Sequence, residues 1–359
     1  MKKVLAILLL CTMLFSCFAC SNNAVSTPPQ NPEPTNPPSE SGTQATPPAE
    51  APKDYSHYRV VALLPGTITD NGWNYICYSA VKSISEIYGT QLEYIENIAV
   101  SDMGEYIRMY GEDKYDMVIV HGAQFESSVV ELVPQYPDTK FCMSYGFKID
   151  GSSDDKIRDI PNLAYVGPVG MGVAVGGIMG ILTESNKVAF LGGQDIPAIA
   201  DIVSGIAAGV ALTNPDATAT TAYIGTLTDQ DMARELTNEF INKGYDVICS
   251  SANSAQLGCL WAAEEAGIYA LGFNSDQYEI APRAVVLSVM RNFSMIYQDV
   301  FDRFIKGEWR SGKVAYELSE NGTIVSDWHG WNEKLPPEKV AAVDEFLRKL
   351  FAGEYDGKY

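Results

Sequence analysis

Catalytic hardware is scarce in this sequence. Its 359 residues hold only three histidines, His57, His121 and His329. No Walker loop, GxGxxG turn or nucleophile elbow stands between an apolar run and a helical period, which removes the common phosphate-cradling and acyl-transfer designs. Beyond the first twenty residues no CxxC pair or Cys/His cluster is present, so no metal site and no cofactor are expected. A nucleoside hydrolase would gather several aspartates near its N-terminus around a metal, whereas Asp70 stands alone. No enzymatic activity is expected from such a chain. Positive charge is also scarce: 25 Lys and Arg face 45 Asp and Glu, a formal net charge of -20. That surface repels phosphate backbones and anionic lipid, which excludes nucleic acid as a partner. Long hydrophobic runs are missing too. The stretch Val4–Phe15 is apolar but for Thr12, and a bilayer span needs about 20 residues.

What is present begins with that short stretch. Lys2 and Lys3 precede it, and small residues then lead into cysteines at Ser16-Cys17 and Ala19-Cys20. Residues 1–20 therefore read as a secretory signal that resembles a lipobox. The lipidated residue is Cys17 or, alternatively, Cys20; Leu14 at -3 and Ser16 at -1 favour Cys17. Residues 21–57 are rich in Ser, Thr, Asn and Pro and nearly free of large apolar side chains, which predicts an extended tether without a core. The expected location is the extracytoplasmic face of the cell membrane, with contact through a lipid anchor only. Cys77, Cys142, Cys249 and Cys259 each sit in an apolar run and are expected as buried free thiols.

From Tyr58 onward, strand-like and helix-like signals alternate. Val60–Leu64, Met117–Val120, Phe141–Ser144, Val188–Leu191, Val247–Cys249, Tyr269–Phe273 and Val285–Val289 read as buried parallel strands. Apolar residues at helical spacing follow Asp70, an N-cap candidate, and recur at Phe293–Ile305 and Val340–Phe351. Val169–Leu182 is apolar and Gly-rich but short for a span, so it reads as a closely packed buried helix. This alternation predicts an α/β fold with two parallel-sheet lobes. The expected division is residues 58–170 plus about 285–312 for the first lobe, and 171–284 plus about 313–359 for the second.

Ligands of parallel sheets bind beyond the carboxyl ends of the strands. The segments in those positions supply Asp70, Trp73, Asn74, His121, Phe125, Asn253, Asn274, Asp276 and Arg291 as ligand-binding candidates. An aromatic ring with amides and carboxylates suits a flat, nitrogen-rich or polyhydroxylated solute.

These segments resemble the basic membrane protein family of lipoproteins, which includes purine nucleoside receptors. The resemblance rests on Asp70-Asn71-Gly72-Trp73-Asn74, His121-Gly122-Ala123-Gln124-Phe125, Tyr136–Phe141, Val188–Gly193 with Ile206–Val210, Asn274-Ser275-Asp276-Gln277, and Ser288–Arg291, in that order. It implies a type I periplasmic-binding fold, two Rossmann-like lobes joined by three crossings and closing on a ligand. It further implies a monomer that hands a purine nucleoside or nucleobase to an ABC permease and ATPase. Riboflavin or a similar heterocycle is the alternative ligand, and a surface sensor or adhesin the alternative role. Three segments depart from the family pattern. Asn274 stands where the family has Asp, Arg291 where it has Lys, and Ile202 and Val203 where a Phe is usual.

Overall fold

The computed structural model describes residues 54–152 and 154–356, all within one compact unit, Pro52–Tyr359. The predicted signal, Cys17, Cys20 and nearly all of the predicted tether lie outside the described residues.

The chain runs β1 (Arg59–Leu63), α1 (Trp73–Tyr88), β2 (Gln91–Ile95), α2 (Met103–Glu112), β3 (Met117–Val120), α3 (Glu126–Leu132), β4 (Lys140–Ser144) and β5 (Leu163–Pro168). It continues with α4 (Met171–Leu182), β6 (Lys187–Gly192), α5 (Pro197–Thr213), β7 (Thr218–Tyr223), α6 (Gln230–Asn242), β8 (Val247–Ser251), α7 (Gln256–Ala266), β9 (Tyr269–Asn274) and β10 (Val285–Arg291). Last come α8 (Phe293–Ile305), β11 (Gly312–Tyr316), β12 (Thr323–Val325) and α9 (Pro337–Phe351). One sheet has the order β11-β5-β4-β3-β1-β2, the other β12-β10-β9-β8-β6-β7. The two orders are the same pattern read twice. All pairs in the first sheet are parallel; in the second, β12 alone runs antiparallel, against β10. These are the two α/β lobes.

The central strands are buried on both faces, which is why they read as unbroken apolar runs. α1 and α8 cover one face of the first sheet through Ile76, Cys77, Ala80, Ile296, Tyr297 and Phe301. Its other face holds Met103, Ile107, Val129 and Phe141. In the second lobe α4, α5 and α9 share a core with β6 and β9, and the Lys339 ammonium donates to the Leu182 carbonyl at the end of α4 (2.6 Å). The four cysteines are free and buried, and burial pushes their thiols up, so they pack as small apolar groups.

Two segments lie in the lobe opposite to the one expected. Val285–Arg291 pairs with β9 and completes the second sheet, and Gly312–Tyr316 pairs with β5 and completes the first. The chain crosses at Asn292, whose side chain caps α8 by accepting from the Met295 amide (3.2 Å), and again between Tyr316 and Thr323. A doubly buried strand reads alike in either sheet, so the apolar pattern of β10 did not reveal its neighbour. Among the described residues no helix is long and apolar enough to cross a membrane. The buried Gly-rich segment is α4, as expected.

Candidate functional site

The carboxyl ends of both sheets face a common cleft of about 480 Å³. That falls within the roughly 300–1,000 Å³ typical of small-molecule sites. Its wall from the first lobe begins in the turn after β1. The Asp70 carboxylate accepts from the amides of Gly72 (2.9 Å), Asn74 (2.9 Å) and Tyr75 (3.1 Å), and from the Asn74 side-chain amide (2.7 Å). It thereby satisfies two of the orphan donors at the start of α1 and complements its dipole. Asn74 in turn accepts from the Gly66 amide (3.0 Å) and pins the turn to the helix. Both residues line the cleft as expected, but their polar atoms are largely spent on holding its wall in shape.

Trp73 opens α1, and His121 at the end of β3 lies behind it. The two rings stack at 4.1 Å, the indole N–H donates to the His121 carbonyl (3.3 Å), and His121 Nε2 lies 2.9 Å from the Trp73 carbonyl. A carbonyl only accepts, so Nε2 carries the proton and Nδ1 accepts from the Tyr297 hydroxyl (2.7 Å). Burial pushes the imidazole down to about 3, outweighing the Trp73 carbonyl, which favours the charged form; the Arg291 cation adds to the lowering. His121 is wholly buried and does not reach the cleft, contrary to expectation; it positions Trp73. Trp73 itself remains on the wall but is only 8% exposed. Phe125 is the second correction. The turn at Gly122 sends Gln124 toward the cleft and Phe125 inward, where it packs with Val120, Val129 and Tyr145.

From the second lobe come Gln194 after β6, Ser251 at the end of β8 with Asn253 and Ser254 beyond it, Asn274 at the end of β9 and Arg291 at the end of β10. Asn274 is 4% exposed, and its Oδ1 is buried without a hydrogen-bond partner. Its backbone is left-handed, φ 69°, a conformation asparagine tolerates better than most residues. Arg291 forms a buried ion pair with Asp201 of α5 (3.2 Å), and its guanidinium lies 5.3 Å from the Trp73 ring centroid. Asp276 is the third correction. It is exposed and does not line the cleft, accepting from the Tyr278 amide (3.2 Å) and the Ser288 hydroxyl (3.2 Å), with His329 Nε2 2.6 Å away. It fixes its own loop rather than lining the site.

Beside the cleft the lobes touch. The Asn71 carbonyl of the first lobe accepts from the Ser275 hydroxyl and from the Gln277 amide (3.2 Å) of the second. Gln124, Gln194, Asn97, Thr228 and the apolar Ile196, Ile199 and Leu227 also line the cavity. The strand-end rule marks the loops that hold Gln124 and Gln194. Nothing in the local pattern distinguishes Asp201, which lies inside a helix.

Among the described residues no group of three or more His, Cys, Asp or Glu side chains could hold a metal ion. The cleft is a two-walled, amide-lined cavity at the switch points of two doubly wound sheets. A family model for PnrA-like ABC transporter substrate-binding proteins, Bmp, matches residues 58–334. The chain belongs to the Bmp family. Basic membrane protein B of Borreliella burgdorferi is 24% identical over 280 residues, covering 74% of this chain and 80% of that protein. A Haloferax volcanii protein provisionally named as an ABC transporter glucose-binding protein is 22% identical over 279 residues, covering 77% of this chain and 69% of its own length. Among solved structures, an ABC transporter solute-binding protein from Aeropyrum pernix superposes with a TM-score of 0.71 at 17% identity, covering 83% of this chain and 92% of the other. Bmp proteins bind solutes for importers, so the arrangement described above is one for capture and release, and its partners are a permease and an ATPase.

Proposed function

We propose that this Bmp protein is a lipid-anchored, monomeric receptor that captures a purine nucleoside or nucleobase outside the cytoplasm for its importer. The observation that carries this reading is the buried, unpartnered Asn274 Oδ1 in a cleft walled by the amides of Gln124, Gln194 and Asn253. A buried acceptor without a partner costs about 1–3 kcal/mol, and a ligand N–H or O–H would remove that cost. Amides offer donors and acceptors side by side, the pattern that purine edges present. A neutral sugar is the second reading. It is supported by the small exposed area of Trp73, which leaves little ring face for stacking, and by the glucose-binding name of the Haloferax relative.

Calorimetry with guanosine, guanine, adenosine, adenine, riboflavin and glucose separates these readings. Binding of purines at micromolar or tighter affinity supports the proposal; binding of glucose alone overturns it. Asn274→Asp sharpens the test. A carboxylate accepts from two ribose hydroxyls at once and with charge assistance, so the variant should favour nucleoside over free base by about 1–2 kcal/mol more than wild type does. An unchanged nucleoside-to-base ratio would remove Asn274 from ribose recognition.

The anchor is tested separately. Replacing Cys17 and Cys20 together with Ser should release the protein from the membrane fraction. Full retention of the double variant would refute lipidation at either cysteine.

A further inference from the structure

We propose that Asp201 sets the charge of the solute this cleft accepts. By neutralising Arg291 it confines the site to uncharged ligands, and without it the cleft becomes an anion site. The proposal deepens the reading above and rests on that cleft being the ligand site.

The charge inventory of the wall carries the argument. Its ionisable side chains are Asp70 and Arg291. Asp70 already accepts four N–H groups at the start of α1. Arg291 enters from β10 and meets Asp201 across the top of the second lobe, with Nη2 at 3.2 Å from Oδ2 and 3.4 Å from Oδ1. The two side chains are 1% and 4% exposed, so water screens neither. At such depth the pair presents a dipole to the cleft and no net charge. Asp201 Oδ1 also accepts from the Ile202 amide (2.8 Å), which holds the carboxylate in place. Burial raises the Asp201 carboxyl to about 6 against the pull of Arg291, so the group is ionised near neutral pH.

A phosphorylated or carboxylated solute entering this cleft would lose hydration and meet no uncompensated cation, a costly exchange. A neutral solute loses little and gains the amides. Asp201 sits in α5, does not itself line the cleft, and acts on the ligand only through Arg291. It is a specificity-determining residue that need not touch the ligand.

Replacing Asp201 with Asn keeps the side-chain shape and removes the charge. The probes are inorganic phosphate, guanosine and guanosine monophosphate, titrated near neutral pH into the full chain. Asp201→Asn should bind phosphate at least ~10-fold more tightly than wild type does, a change of about 1.4 kcal/mol. The variant should also narrow the preference for guanosine over its monophosphate. The double variant Asp201→Asn/Arg291→Gln should lose the phosphate gain, which assigns the anion to Arg291. Should Asp201→Asn fold poorly in buffer, excess phosphate is expected to restore its melting transition, because a ligand of the native state stabilises it. Equal phosphate binding by wild type and variant overturns the proposal, as does a folded variant that ignores phosphate or an unfolded one that phosphate fails to restore. The phosphate comparison does not depend on solute identity. If no purine binds wild type, the purine reading fails and the role of Asp201 is still decided.

Discussion

Gly209→Ala is expected to destabilise the second lobe by about 3 kcal/mol, a large share of the 5–15 kcal/mol that holds a typical domain folded. Taken alone, the substitution should help, since alanine exceeds glycine in helix propensity by about 1 kcal/mol. Packing reverses the sign. α4 and α5 touch backbone to backbone, through Gly172 and Gly176 on one helix and Gly205 and Gly209 on the other. A Cβ at Gly209 would lie 2.2 Å from the Val173 carbonyl oxygen, and one at Gly176 would lie 2.1 Å from that of Ile206. Neither contact can be relieved by rotating a side chain, so the helices must separate and leave voids around Ile178, Ile206 and Val210. Gly104→Ala in α2 serves as control. Its Cβ would meet the Leu132 methyl at 3.2 Å, a flexible group that can give way. Urea unfolding of the two variants should differ by several kcal/mol. If Gly209→Ala matches Gly104→Ala, the close approach of α4 and α5 is not what holds this lobe together.

The α4 side of that seam was legible in the sequence because a fourteen-residue Gly-rich apolar stretch is too short to span a membrane and too apolar to be exposed. The fold class was legible for a related reason. β1, β3, β4, β8 and β9 are buried on both faces and write themselves as apolar runs. β2 and β7 were not seen. They are edge strands, and sequences such as Gln91–Ile95 and Thr218–Tyr223 alternate too weakly, with partly exposed residues on both faces. β12 is only three residues long, and the partly exposed β11 pairs with β5, far back in the chain. At the other extreme, Ile87 fits the helical period of α1 yet is exposed, whereas its neighbour Tyr88 takes the place against the core.

The site was legible at the level of loops and less so at the level of side chains. Parallel sheets dictate where the cleft lies, so Asp70, Trp73, Asn74, Asn253, Asn274 and Arg291 come together on its wall. Which neighbour in a tight turn faces the cavity is decided by one backbone angle, and at Gly122 that angle exchanged Phe125 for Gln124. His121 and Asp276 have chemistry suited to a ligand but are occupied by Trp73, Tyr297, Ser288 and His329. Asp201 was missed because its partner Arg291 is 90 residues away, and no local pattern announces a long-range ion pair.

The position of His121 makes the fold sensitive to acid in a way that one substitution can isolate. Its imidazole is held down to about 3 by burial, whereas in the unfolded chain it titrates near 6.5. Above pH 6.5 it is neutral in both states and has no effect on the pH dependence. As pH falls from 6.5 toward 3 the unfolded chain gains a proton that the folded one refuses, so stability is lost at about 1.4 kcal/mol per pH unit. Asp201 acts in the opposite direction. Its carboxyl is raised to about 6, so between that value and 3.8 the folded state takes up its proton first and acidification favours folding. The two contributions partly cancel in wild type, and a simple acid titration would hide both. His121→Gln removes one of them. The amide can still donate toward the Trp73 carbonyl, but the stacking against the indole is lost, so the variant should be less stable than wild type at pH 7.5. On acidification the gap should close by about 2 kcal/mol at pH 5, because the variant no longer refuses a proton there. Urea unfolding of both proteins at a series of pH values measures the gap directly. Parallel curves from pH 7.5 to 4 would mean that the imidazole is not held neutral behind Trp73, and the hydrogen-bond assignment around it would fall with that result.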